Sequence, residues 1–278
     1  MPGGDGHVRR SRRIGERLNR VAMNFLSALG FLTIIPVGRR HKEGQSLAGS
    51  SLYFPLVGLV IGFILAGIDY GLCRVLPDLL ASAITVAVLL LLTGALHFEG
   101  FVDACDGLFG GHARERRLEI MRMKNVGSYA VAGGALLLIV KFAAIASLEA
   151  GWDRFWIIVL FPAMSRWGMA MALNLFPYAR AEGLGSAFRS DKRFAYMLSA
   201  GIIALAIAVI FGWLGGIVLL FTAKLVALLM GWSISRLLGG LTGDTYGAVN
   251  EMTEVVVLIV AVAIFPHLAI QPVWQAVL

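Results

Sequence analysis

The stretch Ile202-Ile-Ala-Leu-Ala-Ile-Ala-Val-Ile210 carries no polar side chain on any face. A run of that kind has no stripe to offer water and belongs in a core or in lipid. Ile84–Leu92 and Ala130–Val140 read the same way. Extended to their apolar limits, such runs reach the roughly 20 residues that cross a bilayer as a helix. Seven segments qualify: Leu52–Leu76, Leu79–Leu96, Tyr129–Leu148, Phe155–Phe176, Tyr196–Trp213, Gly215–Leu237 and Glu254–Ile270. Only Gly212-Trp213-Leu214-Gly215-Gly216 separates the fifth from the sixth, which predicts a tight hairpin. Composition agrees, because 58% of the 278 residues are hydrophobic and 15% are charged, against roughly 25% charged in a soluble domain. The expected fold is an all-α, polytopic bundle of about seven transmembrane helices. A soluble enzyme, a disordered tail and a disulfide scaffold are excluded. Cys73 and Cys105 lie in different segments without zinc or redox spacing.

The chain opens with a basic arm, residues 1–20, holding Arg9, Arg10, Arg12, Arg13, Arg17 and Arg20. The apolar stretch Val21–Val37 follows. It is long for a signal-peptide core and lacks a small-x-small cleavage site, so it reads as retained. It is either an eighth span or an interfacial helix. Residues 21–278 read as a single helical transmembrane catalytic domain. With seven spans, the basic segments Arg39–Lys42, Arg114–Lys124 and Arg180–Arg193 all fall on one side. The opposite connections carry only Arg74 and Arg154. The positive-inside rule makes the basic side cytoplasmic, and keeps the arm inside only if Val21–Val37 does not cross. The net charge of +7 is then an orientation signal and an attraction to anionic lipid. Nucleic acid is not an expected partner. The sequence leaves oligomeric state open, a homo-oligomer included.

Chemistry concentrates in His97-Phe-Glu-Gly-Phe-Val-Asp-Ala-Cys-Asp-Gly-Leu-Phe-Gly-Gly111. Glu99, Asp103 and Asp106 are four and three apart, which sets three carboxylates on one helical stripe. Three such anions repel unless a cation sits among them, and oxygen-only ligands suit Mg²⁺ bridging to substrate phosphates. The blander reading is a solvated acidic helix end. Gly107, Gly110 and Gly111 would let backbone approach a phosphate or open the helix. A second acidic segment, Gly239–Glu251, carries Asp244 and Glu251, seven apart and nearly aligned on a helix. It opens on the same side and adds two candidate metal ligands.

Lys141, Arg166 and Lys224 fall inside spans, where a charge is expensive and faces a partner or a watery cavity. Either they hold substrate phosphates or they form plain ion pairs, Asp69 being one available partner. Arg122 and Lys124 follow the acidic motif closely enough to bind phosphate, although their loop also reads as a helix lying on the inner leaflet. His97 is a candidate general base, or simply a group that orients the ligands.

These residues resemble the cobalamin synthase family, the membrane-bound adenosylcobinamide-GDP ribazoletransferases. The likeness begins at Phe31-Leu-Thr-Ile-Ile-Pro36 and Tyr53-Phe-Pro-Leu-Val-Gly58 and peaks at His97–Gly111. It continues through Leu118-Glu-Ile-Met121, Val126-Gly127, Ser165-Arg-Trp167 and Gly243-Asp-Thr-Tyr-Gly-Ala248. The resemblance implies a Mg²⁺-dependent reaction of adenosylcobinamide-GDP with α-ribazole or its 5′-phosphate. The products are adenosylcobalamin or its 5′-phosphate, and GMP. It also implies the bacterial cytoplasmic (inner) membrane, with the site facing the cytoplasm. The chain departs from the family in having Glu99 in place of the usual aspartate. Met123, Lys124 and Asn125 stand where Asp-Ser-Arg is common. Two other readings remain. A CDP-alcohol phosphotransferase would show an Asp-Gly-x-x-Ala-Arg opening, which is absent. A secondary transporter would line an ion path with Asp69, Lys141, Arg166 and Lys224.

Overall fold

A computed structural model describes residues 5–37, 47–188, 190–268 and 270–276. Among them every regular element is helical, and the β-type pairing is one isolated bridge between Tyr178 and Leu241. The α-helices run in the order α1 (Asp5–Leu32), α2 (Phe54–Leu72), α3 (Asp78–Leu92), α4 (Leu96–Gly110), α5 (Arg114–Ile120) and α6 (Ser128–Ala146). After these come α7 (Trp152–Leu175), α8 (Arg193–Leu238), α9 (Gly243–Ile264) and the short α10 (Val273–Ala276).

α7 is the axis of the bundle. A span that carries polar and charged side chains must turn them away from lipid, and α7, with Arg154, Ser165, Arg166 and Asn174, is buried along almost all of its length from Arg154 to Asn174. It packs against α2, α8 and α9. Gly58 and Gly62 bring α2 in so far that a Cβ at either position would lie 2.3 or 2.1 Å from the carbonyls of Pro162 and Val159. Small residues one turn apart permit such backbone contact between membrane helices.

Five helices are long and apolar enough to cross a membrane: α2 with the turn before it, α6, α7, α8 and α9. α3 and α4 pass the same test only as a pair, bent by 91°, a broken span or a re-entrant loop. α8 has 46 residues and would run about 70 Å if straight, twice the bilayer core. Trp213 (φ 48, ψ −133) breaks it instead. A Cβ on Gly216 would lie 2.1 Å from the carbonyl oxygen of Ala208, which requires arms 193–212 and 214–238 to lie antiparallel. The hairpin expected at residues 212–216 therefore turns at Trp213. The helices long and apolar enough to cross number five, or six with the bent pair, against the seven spans expected.

The second expected span, Leu79–Leu96, ends early. Gly94 (φ 60) and Ala95 (φ 54) are left-handed, and their N–H groups donate to Leu91 and Leu90, the bonds that end a helix on this conformation. The acidic motif thus turns back into the bundle as α4. At the N-terminus α1 continues unbroken past residue 20, where the arm was expected to end. Ala28, Leu29 and Leu32 are buried, while Val21, Met23 and Leu26 are exposed. α1 is not among the helices apolar enough to cross. Ile34 N–H donates to Leu92 O at 2.9 Å, tying the end of this segment to the end of α3. The side chains of residues 1–18, and the whole of the basic segment Arg39–Lys42, lie outside the described residues.

Candidate active site

α4 lies between α6 and α9. A Cβ on Gly100 would sit 2.9 Å from Asp244 O, and one on Gly247 would sit 2.8 Å from His97 O. Backbone therefore meets backbone, which sets the acidic stripe of α4 beside the start of α9. That start is firmly held. Thr242 caps α9 reciprocally with Thr245. Ala179 N–H donates to Leu241 O and Leu241 N–H to Pro177 O, both at 2.8 Å. Arg114 donates from Nε to Leu238 O at 2.7 Å and from Nη2 to Ala179 O at 3.3 Å, clamping α5 to the same strip. The strip delivers Arg180, whose Nη2 lies 3.0 Å from Asp244 Oδ2.

A cavity of about 240 Å³ opens where these elements meet. Glu99, Asp103, Asp244 and His97 line it together with Phe31, Phe54, Met169, Leu173 and Phe188. Phe31 stacks on Phe54 at 6.0 Å, and Phe188 meets both edgewise at 5.2 and 5.8 Å. His97 is buried, and its Nε2 has no hydrogen-bond partner among the described residues. Asp103 stands in the fields of Asp244, Glu99 and Asp106, with Arg180 as the opposing charge. Crowded carboxylates of this kind favour an added cation. Among the described residues no three His, Cys, Asp or Glu side chains close into a metal cage. The donor set still fits Mg²⁺, which takes one or two carboxylates and completes its shell with water and substrate phosphate.

The other expected site residues are placed differently. Asp106 leaves the stripe: its carboxylate accepts the N–H groups of Gly127 at 2.5 Å and Ala130 at 2.8 Å. It caps the N-terminus of α6, which has no side-chain cap of its own. A Cβ at Gly127 would lie 2.6 Å from that carboxylate, so position 127 must be glycine. Gly107 and Gly111 fit against Met121 and Arg117 and serve packing of α5.

Glu251 lies two turns below Asp244 on α9, about 10 Å along the axis, and faces a buried ion cluster. Lys141 Nζ contacts Glu251 Oε2 and Glu254 Oε2, each at 2.5 Å. Arg166 pairs with Glu254 Oε1. Lys141 and Arg166 are thus neutralised by carboxylates in the interior, where an unpaired charge is untenable, and are not presented to the cavity. Lys224 stands apart in an apolar groove between the arms of α8 and α7, 5.9 Å from the Phe221 ring. Arg122 and Lys124 are exposed between α5 and α6, Arg122 within electrostatic reach of Asp244. Asp69 partners Arg154, through Nε at 2.7 Å and Nη2 at 2.6 Å, and not the other buried cations.

Two participants are absent from the sequence reading: Arg180, counted there only as loop charge, and Glu254, taken as the start of a span. The pair Glu251 and Glu254, three apart within an apolar stretch, was the available signal for the second.

The sequence model of the family described as Cobalamin-5-phosphate synthase matches residues 24–262. An adenosylcobinamide-GDP ribazoletransferase of Roseiflexus sp. (strain RS-1) is 39% identical, over 83% of this chain and 86% of its own length. One of the same name from Desulforamulus reducens is 36% identical, over 82% and 91%. Another from Geotalea daltonii is 37% identical, over 86% and 97%. No solved structure matches. With a helical membrane bundle and its acidic cavity inside the matched region, the chain belongs to the cobalamin-5-phosphate synthase family.

Proposed function

We propose that this chain joins α-ribazole, or its 5′-phosphate, to adenosylcobinamide-GDP and releases GMP. The observation that carries the reading is that Glu99, Asp103 and Asp244 line one cavity together with an aromatic cluster, at the end of the bundle beside the basic α5. The names of the relatives support the same substrates. A ribose hydroxyl oxygen forms a bond to the phosphorus on the cobinamide side of the pyrophosphate. The bridging P–O bond breaks, GMP departs with that oxygen, and the hydroxyl proton is released.

Asp103 and Asp244, with Glu99 beside them, are the residues that would hold Mg²⁺. When bound, the ion would draw off charge developing on the bridging and leaving oxygens. The chain's own groups do the rest. Arg180 places a guanidinium beside Asp244, where it would meet the pyrophosphate, and Arg122, within electrostatic reach of Asp244, adds positive charge with Lys124 two residues on. His97 carries the unpartnered Nε2 on the cavity wall and is our candidate to take the hydroxyl proton. The apolar side keeps water from competing with the ribose hydroxyl. By the positive-inside rule, the cavity faces the cytoplasm from the bacterial inner membrane.

The test is GMP release from adenosylcobinamide-GDP by the detergent-purified chain given α-ribazole 5′-phosphate and Mg²⁺. Chelation should abolish release, and Asp103→Asn should lower it by about a hundredfold or more, since metal-assisted charge stabilisation contributes several kcal/mol. Near-normal turnover after either treatment would refute this mechanism.

A further inference from the structure

We infer that the 240 Å³ cavity is the seat of the smaller substrate, the benzimidazole nucleoside, and that the corrinoid nucleotide stays outside and presents only its pyrophosphate at the mouth. This rests on the function proposed above. Size is the first reason. Cavities that bury a drug-sized ligand run from about 300 to 1,000 Å³, and this one lies just under that range. A bicyclic base with its ribose is of that scale, whereas a corrin macrocycle bearing a dinucleotide is several times larger.

Chemistry is the second reason. Phe31, Phe54 and Phe188 form a contiguous aromatic cluster with Met169 beside them. Such a surface suits an uncharged heteroaromatic bicycle. The lining contributed by α4 carries Glu99 and Asp103, acceptors for ribose hydroxyls. The polarity of the cavity therefore orients the ligand, base toward the rings and sugar toward the acids. That is the direction in which a ribose oxygen must face to attack phosphorus.

Charge is the third reason. A pyrophosphate is repelled by bare carboxylates, and Arg180, paired with Asp244, is the chain's own cation beside them. The side chain of Arg180 is 11% exposed and that of Asp244, its partner, 21%. The anionic substrate is thus met at the Arg180–Asp244 pair, where Asp103 and Asp244 would also hold Mg²⁺. Phe31 belongs to α1, so the N-terminal helix supplies part of the nucleoside seat.

Two substitutions test this in the detergent-purified full chain, by equilibrium dialysis against labelled α-ribazole alone and labelled adenosylcobinamide-GDP alone. Phe31→Leu removes a ring from the half-buried edge of the cluster, and Met169→Phe fills the space. Each should weaken α-ribazole binding about tenfold, the worth of one good aromatic contact, and leave adenosylcobinamide-GDP binding unchanged. Retained binding of the larger substrate also certifies the fold. The inference is overturned if both variants bind α-ribazole as the parent does, or if affinity for the larger substrate falls in step. A parent protein that releases GMP while the variants behave so refutes the seat alone. A parent that releases none refutes the underlying function.

Discussion

Asp103 and Asp106 are the same residue type on the same helix, three positions apart, and they do different work. Asp103 faces the cavity, while Asp106 accepts two N–H groups at the start of α6. Asp106→Asn keeps the shape but leaves one of those donors without an acceptor, at a cost of about 1–2 kcal/mol. The expected result is a lowered melting temperature in detergent. Asp103→Asn should lose GMP release at an unchanged melting temperature. Interchanged outcomes would refute both assignments. The sequence could not separate them, because spacing reports only that they share a helical face. What distinguishes Asp106 is a helix terminus 21 residues further on. Lys141 and Arg166 left phosphate binding and plain ion pairing equally open for a similar reason: burial of a cation announces a partner without naming it. The partners lie 110 and 88 positions away on α9.

Hydrophobic length located the helices well, and two glycine-rich breaks behaved differently. Gly212–Gly216 was readable as a turn because an apolar run of twice the bilayer thickness must reverse somewhere. The 91° bend at Thr93-Gly94-Ala95 was not readable. Leu79–Leu96 carries no charge, contains no proline, and satisfies the length of one span by itself. The bend is imposed by packing, since it lets α4 slide between α6 and α9. Gly247→Val tests that dependence. The added side chain would meet His97 O, which a Cβ alone approaches to 2.8 Å. It should part α4 from α9, and GMP release should fall at least about tenfold with a loss of 1–3 kcal/mol in stability. A fully active, fully stable Gly247→Val protein would mean that the α4–α9 contact does not set the site.

At the scale of the whole molecule, the hairpin tip and the cavity should occupy opposite faces of the membrane. Leu214 is exposed at the tip, and Glu115 is exposed on α5, whose Arg114 is bonded to the strip that carries Arg180. In a chain whose Cys73 and Cys105 are replaced by alanine, Leu214→Cys should react with an impermeant maleimide on intact cells. Glu115→Cys should react only after permeabilisation. Equal labelling of both, or the reverse order, would overturn the orientation. The interior between those faces holds two deep ion clusters. One is Arg154 on Asp69, and the other sets Lys141 and Arg166 against Glu251 and Glu254. Each sums to zero charge. The electrical potential across a membrane does work only on charge that it displaces, about 2.3 kcal/mol per elementary charge for every 100 mV. Clusters balanced in this way give that field nothing to move. The joining reaction should therefore proceed at the same rate in respiring cells as in membranes whose voltage has been discharged.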